Sequence, residues 1–339
     1  VMSVRWGLLV AGVIAHAFAR GLAQTNSGRA VAVAARAEDS ARAFADAYGI
    51  ERAYGHYQAL LDDPEVDAVY ISTPHNFHSE WAIKAAQAGK HILCEKPVTV
   101  NCAEAVPVIE AARAAGVLFM EAFMYRTHPQ LDVLRDMVGA GQIGDIRFIE
   151  ARHGFNAGPG YAHRTTDAAL AGGGILDVGC YAMSFARLAA GLAIGEGFAN
   201  PTVVKGVGHV SHGIDEYAAA SLQFESGVAA QIATAVKAGL EQTALVYGSK
   251  GSIKVHSPWG GNGREPGDTK LTVVEGRKKA ERIVSLDRGI YAREADVFAQ
   301  AIEAGQTECA AMTPDDTLGN MRALDAWREE IGLRYKFEV

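Results

Sequence analysis

The chain has 339 residues, of which 49% are apolar and 21% charged, so it is globular in composition and too long for one ordinary hydrophobic core. A formal net charge of −7 argues against nucleic acid or an anionic membrane as the main partner. Four cysteines (Cys94, Cys102, Cys180, Cys309) without C-x-x-C spacing argue against a zinc site or a disulfide framework and fit reduced thiols in a cytosolic protein.

From residue 4 to 150 short apolar runs alternate with helical patterns. Strands are predicted at 5–10, 30–34, 68–72, 91–94 and 117–120, and helices near 13–24, 38–48, 56–62, 77–88 and 101–115. The expected class is therefore α/β, opening with a Rossmann-type doubly wound parallel sheet. The apolar run from Gly7 to Ala19 lacks a basic opening segment and is closed by Arg20, so strand, turn and helix explain it better than a signal segment. No run reaches about 18 uninterrupted apolar residues, and no membrane span is expected.

The first strand leads into Val10-Ala11-Gly12-Val13-Ile14-Ala15. Against the dinucleotide fingerprint G-x-G-x-x-G/A, only Gly12 and Ala15 match. Gly12, Val13 and Ile14 would bring backbone and a helix N-terminus to a pyrophosphate; a plain buried turn fits these residues equally. After the second strand, Ala34-Ala35-Arg36 has no acidic residue for a ribose hydroxyl. Arg36 suits a 2′-phosphate, hence NADP(H) over NAD(H), or else it caps the next helix. The loop Thr73-Pro74-His75-Asn76-Phe77-His78 follows the next strand and should border the cofactor, with His78 near the nicotinamide or capping a helix. No third ligand accompanies His75 and His78, so no metal is expected. His91 to Cys94 then runs into Glu95-Lys96-Pro97, which sets an ammonium at the carboxyl edge of the sheet.

From about residue 122 the pattern changes, and the domains are expected at 1–122 and 123–339, with room for the C-terminal helix to pack back on the first. Glu121-Ala-Phe-Met-Tyr125-Arg126 can line a substrate pocket, Arg126 reaching hydroxyls. Gly172-Gly-Gly-Ile-Leu-Asp177-Val-Gly-Cys-Tyr181 opens a helix on which Asp177 and Tyr181, four apart, share a face. A tyrosine works as acid and base when a cation such as Lys96 lowers its pKa; alternatively Tyr181 is a core aromatic and Asp177 a helix-end charge. The stretch 202–285 is strand-rich, with the 258–267 loop rich in glycine, and helices close the chain near 290–304 and 314–331. Its expected form is an α+β domain with an open, largely antiparallel sheet. Ala218, Ala220, Ala229 and Ala233 suggest a flat face serving as a subunit interface, giving a homodimer or homotetramer.

Together Ser72-Thr-Pro-His, Glu95-Lys-Pro, Glu121-Ala-Phe-Met-Tyr-Arg, the glycine-rich run to Tyr181 and the tail Asp316-Thr-Leu…Ile331-Gly-Leu-Arg-Tyr resemble the glucose-fructose oxidoreductase/inositol dehydrogenase/MocA (Gfo/Idh/MocA) family. The likeness covers almost the whole chain and is greatest to the dimeric dihydrodiol dehydrogenase and NADP-dependent D-xylose 1-dehydrogenase branch. It implies a nicotinamide cofactor touched by Gly12, Val13, Ile14, Arg36, Thr73, Pro74, His78, Glu95 and Lys96. It also implies Lys96 and Tyr181 as catalytic pair with Asp177 as accessory, and Tyr125, Arg126, Arg164 and Asp177 around a sugar or cyclic diol. Inositol-dehydrogenase-like members have histidine where this chain has Tyr181. Val10 and Ala11 depart from the usual first Gly-x, and Ala35 stands where a serine often assists the 2′-phosphate. Hydride transfer to or from a carbinol carbon is the implied reaction. Its rivals are reduction of a keto-sugar such as 1,5-anhydrofructose and a non-catalytic nucleotide sensor of the same fold.

Overall fold

The computed structural model describes residues 3–10, 12–158, 163–260 and 266–338; Ala11 and residues 261–265 of the 258–267 loop lie outside the described residues. The chain first runs β1 (Val4–Leu9), α1 (Val13–Leu22), β2 (Gly28–Ala34), α2 (Glu38–Tyr48), β3 (Arg52–Tyr54) and α3 (Tyr57–Leu61). It continues with β4 (Ala68–Ile71), α4 (His78–Gln87), β5 (His91–Glu95), α5 (Cys102–Ala115) and β6 (Phe119–Ala122). The strands are parallel in the order β3-β2-β1-β4-β5-β6, the doubly wound arrangement whose ligand crevice opens where the order reverses, between β1 and β4. Val69, Tyr70, Ile71, Ile92, Leu93 and Cys94 are fully buried, as a parallel sheet covered on both faces requires. Local chemistry sets the helix ends. The Asn101 side chain accepts the Glu104 N–H at 3.0 Å at the start of α5, and Gly116 closes it at φ 65°. Strand β3, with three residues, is too short to leave a periodicity and was not among the predicted strands.

The next elements are α6 (Gln130–Gly139), β7 (Ile146–Gly154), a π-helical turn at Ile175–Gly179 and α7 (Cys180–Leu192). Then come β8 (Pro201–Ser211), β9 (Ile214–Phe224), β10 (Ala229–Ala235), β11 (Thr243–Gly248), β12 (Gly251–Val255), β13 (Gly267–Glu275) and β14 (Lys278–Leu286). The eight strands lie in the order β14-β13-β12-β11-β7-β10-β9-β8, antiparallel except for the β7–β10 pair. Helix α7, buried from Cys180 to Gly191, covers one face at β7, β10 and β11. The helical stretch Ala168–Leu192 is long and apolar enough to cross a membrane, but 94% of its most apolar window is buried inside the protein.

One expectation is corrected by the register. The pattern puts Ala218 and Ala220 on the open face with Ala229 and Ala233, but they pair with Thr234 and Ile232 and are buried. Side chains alternate with a period of two, so Tyr217, Ala219 and Ala233 share the other face instead.

Helices α8 (Ile290–Glu303) and α9 (Pro314–Glu330) end the chain. Two compact units result: the first draws on Val1–Thr127 and Asp287–Leu318, the second on most of His128–Leu286 and on Gly319–Val339. The first unit thus takes in α8, which packs against α1. Trp6 of β1 touches Phe18 at 5.3 Å and Phe298 of α8 at 5.2 Å between ring centroids. A side chain at Gly21 would place its Cβ 2.7 Å from Tyr291 Cβ and 2.9 Å from Ala292 N. Backbone cannot step aside as a flexible side chain can. Gly21→Ala should lower the unfolding free energy by about 1–3 kcal/mol in urea titration; an unchanged midpoint would show that α8 yields freely.

Candidate active site

In the first unit the expected cofactor residues gather at the carboxyl edge of the sheet. Gly12 is extended (φ −171°) and exposed, and a Cβ there would meet nothing within 4 Å, so a ligand can approach this backbone. Val13 is 71% exposed in the first turn of α1, and Ile14 is half-buried. Beside them a cleft of about 320 Å³ is lined by Arg36, Gly55, His56, Tyr57, Thr73, Pro74, Phe77, Glu80 and Trp81. Arg36 is exposed at its rim, and the buried Thr73 hydroxyl has no protein hydrogen-bond partner. Tyr57 meets Trp81 edge-on at 4.9 Å, and Lys84 Nζ lies 4.3 Å from the Trp81 ring centre. An open glycine, a helix N-terminus and a cationic, aromatic cleft fit a dinucleotide.

His78 is buried, its Nε2 2.7 Å from the Thr73 carbonyl and its Nδ1 3.0 Å from that of Pro97. It therefore ties two loops together at the carboxyl edge. Lys96 is half-buried, and the peptide bond to Pro97 is cis. Glu95 turns inward, accepting from Tyr70 OH at 2.5 Å and from the Lys96 N–H at 3.2 Å. Near it, Glu294 of α8 is fully buried with neither oxygen hydrogen-bonded, and burial, reinforced by Glu95, pushes its pKa well up. Tyr125 is buried, edge-on to Phe123 at 6.0 Å. Arg126, with 2% of its side chain exposed, pairs with Asp316 at 2.9 Å.

The second unit holds the tyrosine. Asp177 lies in the π-helical turn rather than in the α-helix expected there, and its buried carboxylate accepts from Arg164 at 2.7 Å. Single π turns are frequent at functional sites. Tyr181, 4% exposed, meets the His153 ring at 5.2 Å and that of Trp259 at 5.8 Å. His153 and Trp259 stack at 5.5 Å with 10° between planes, and the Trp259 N–H donates to the Arg152 carbonyl at 3.1 Å. Asp215, at the start of β9, accepts the Ile175 N–H at 2.7 Å; burial pushes its pKa up to about 7 despite that donor.

A pattern for an oxidoreductase family with an NAD-binding Rossmann fold matches residues 4–123, and one for the GFO/IDH/MocA C-terminal domain matches residues 132–254. The chain belongs to the Gfo/Idh/MocA oxidoreductase family. Within it, trans-1,2-dihydrobenzene-1,2-diol dehydrogenase of Mus musculus is 37% identical over 76% of each chain. D-xylose 1-dehydrogenase (NADP(+)) 2 of Haloferax volcanii is 34% identical over 89% of this chain and 90% of its own. A 3-ketoreductase from Actinomadura kijaniata, solved with NADP and TDP-benzene, superposes with a TM-score of 0.86 at 28% identity, covering 97% and 98%. As a Gfo/Idh/MocA member the protein is an oxidoreductase with an NAD(P)-binding Rossmann unit.

Sequence reasoning missed Tyr57, Trp81, His153, Trp259 and Glu294. Glu294 had a signal: with Ile290 and Phe298 it occupies one apolar stripe of α8, where a carboxyl is out of place. Trp259 had none beyond being a tryptophan in a Ser-Pro-Trp-Gly loop.

Glu121, within the buried strand β6, accepts the Val98 N–H at 2.9 Å, and burial raises its carboxyl to about 7 from an ordinary 4.5. A folded pKa above the unfolded one means that its stabilising contribution is complete below the unfolded value and is lost as pH rises through the folded value. The melting temperature should therefore fall between about pH 5 and pH 8, with Asp215 contributing in the same direction. Glu121→Gln should flatten part of that fall; an identical slope in the variant would assign the effect elsewhere.

Proposed function

We propose that this oxidoreductase moves a hydride between the nicotinamide of NADP(H) and a carbinol or carbonyl carbon of a sugar or cyclic diol, with Tyr181 taking and returning the hydroxyl proton. The observation that carries this reading is the setting of Tyr181: a phenol in an aromatic wall with His153 and Trp259, on the helix that the Asp177–Arg164 pair opens. An apolar wall suits a ring face, and an ion pair suits hydroxyl groups. The diol and xylose dehydrogenases among its relatives support that substrate class.

When bound, the nicotinamide supplies the redox chemistry; the residues bind, orient and move the proton. In oxidation the substrate O–H proton passes to Tyr181 as the carbinol hydrogen leaves as hydride, and reduction reverses both transfers. Positioned acid/base catalysis of this kind contributes about 10²–10⁴-fold. Lys96 serves the cofactor ribose, and the family resemblance pairs it with Tyr181 as the cation that eases deprotonation. Arg164 and Asp177 orient the polyol. Arg126, its guanidinium buried on Asp316, braces the loop after β6. Glu95, bonded to Tyr70, likewise supports the Lys96 corner from beneath.

Arg36 at the rim of the cleft, with no carboxylate ending β2, favours NADP(H) over NAD(H). The NADP of the Haloferax enzyme's name and of the Actinomadura structure agrees with this. Keto-sugar reduction is the second reading, favoured by the likeness to the 3-ketoreductase, and needs the same groups run in the other direction.

Nicotinamide absorbance with D-xylose, D-glucose, inositols and trans-dihydrodiols, using NADP and NAD, tests these assignments. Tyr181→Phe should lose most turnover while binding NADPH normally, and near-wild-type rates would sink the proton-transfer role. Arg36→Ala should weaken NADPH roughly 10–100-fold and NADH little; equal losses would remove the 2′-phosphate assignment.

The open face of the second unit's sheet exposes Val203, Val207 and Tyr217, and we assign it to self-association. Sedimentation should give a dimer or tetramer that Val207→Asp dissociates. A wild-type monomer at micromolar concentration would overturn this.

A further inference from the structure

The glycine triplet before the π turn is held from three separate places in the second unit. Tyr335 OH, in the C-terminal tail, donates to the Gly172 carbonyl at 2.7 Å. Thr234 Oγ1 of β10 donates to the Gly174 carbonyl at 2.9 Å. Asp215 Oδ2 of β9 accepts the Ile175 N–H at 2.7 Å. All three side chains are buried, at 1%, 1% and 0% exposure.

The backbone between them has no slack. Gly173 sits at φ 124°, in a region that favours glycine, and a Cβ there would lie 2.2 Å from Asp215 Oδ1. On the opposite side, the Gly172 N–H donates to the Asp167 carbonyl at 2.9 Å and the Gly173 N–H to the Thr165 carbonyl at 3.0 Å. A Cβ on Gly172 would meet the Arg164 carbonyl oxygen at 2.9 Å. The triplet is thus wedged between the segment carrying Arg164 and the inner face of the sheet.

The tail bearing Tyr335 is itself fastened. Arg328 of α9 donates to both oxygens of Glu338, at 2.8 and 2.9 Å, and Glu338 also accepts the Tyr335 N–H at 2.9 Å. The Arg328 guanidinium lies 5.3 Å from the centre of the Tyr335 ring.

We propose that Tyr335, Thr234 and Asp215 are positioning residues whose three hydrogen bonds to the Gly172–Ile175 backbone set where Asp177 and Tyr181 stand. This rests on the roles proposed above for those two side chains. Asp177 follows the last clamped residue by two positions and sits inside the π turn, so a shift of the triplet reaches it without an intervening flexible segment. None of the three positioning residues needs to touch substrate. Their effect passes through geometry, to which catalysis is sensitive: misplacement by about 1 Å can cost roughly 100-fold.

Tyr335→Phe, Thr234→Val and Thr234→Ser, with Tyr181→Phe as reference, provide the test. The measurements are kcat, KM and NADPH dissociation constant across pH, alongside melting temperature. Tyr335→Phe and Thr234→Val should each lower kcat roughly 10–100-fold, leave NADPH binding unchanged and shift the apparent pKa of the kcat profile. Thr234→Ser, which keeps the hydroxyl, should recover most of the rate. If Tyr335→Phe fails to fold, the Thr234 pair carries the same comparison. A lower melting temperature with wild-type kcat and pH profile, while Tyr181→Phe is inactive, would make the bonds purely structural and overturn the proposal alone. An active Tyr181→Phe would overturn the catalytic reading and the proposal with it.

Discussion

A parallel sheet buried on both faces leaves polar groups little room except at its edges, and this constraint orders the first unit. Ile92, Leu93 and Cys94 fill the interior of β5, so Glu95 and Lys96 are the first positions at which the strand can carry charge. The same logic places Thr73 after β4 and Arg36 after β2. Gly12 opens the helix that follows β1, where unbonded N–H groups point outward. The cofactor-binding edge is therefore a by-product of how the sheet buries itself.

Charge inside the protein is managed in two ways. Some buried groups are matched: Asp316 with Arg126, Asp177 with Arg164 and Glu338 with Arg328. Others have no ion-pair partner among the described residues. Glu294, Glu121 and Asp215 are driven by burial toward the neutral acid, because an unpaired buried charge costs several kcal/mol. The first kind fixes geometry across loops at any ordinary pH. The second makes stability depend on pH near neutrality, and in Asp215 that dependence is built into the support of the π turn.

The second unit divides its labour between the faces of one sheet. The inner face, through Thr234, Asp215 and the helix α7, grips the backbone that carries Asp177 and Tyr181. The outer face, with Val207 72% exposed, is left for other surfaces. Ala218 and Ala220 lie on this inner face beside Gly206 and Gly208, where Trp327 and Ile331 come close, and so are buried rather than displayed.

The sequence by itself determined the class of each half, the doubly wound order of the first, and the motifs that name the family. Those signals are local: apolar runs of strand length, turn residues, and short strings such as Glu95-Lys96-Pro97 and Gly172-Gly-Gly. It also singled out Asp177 and Tyr181, although Asp177 stands in a π turn and not in the α-helix that their spacing implied. Tertiary structure alone decided the rest. That Arg126 meets Asp316, whether Ala218 pointed in or out, and that Trp259 and His153 wall the tyrosine all depend on register and long-range packing. So does Tyr335 reaching Gly172 from the far end of the chain. A side chain's partner is set by where distant backbone returns in space, and no local periodicity encodes that return.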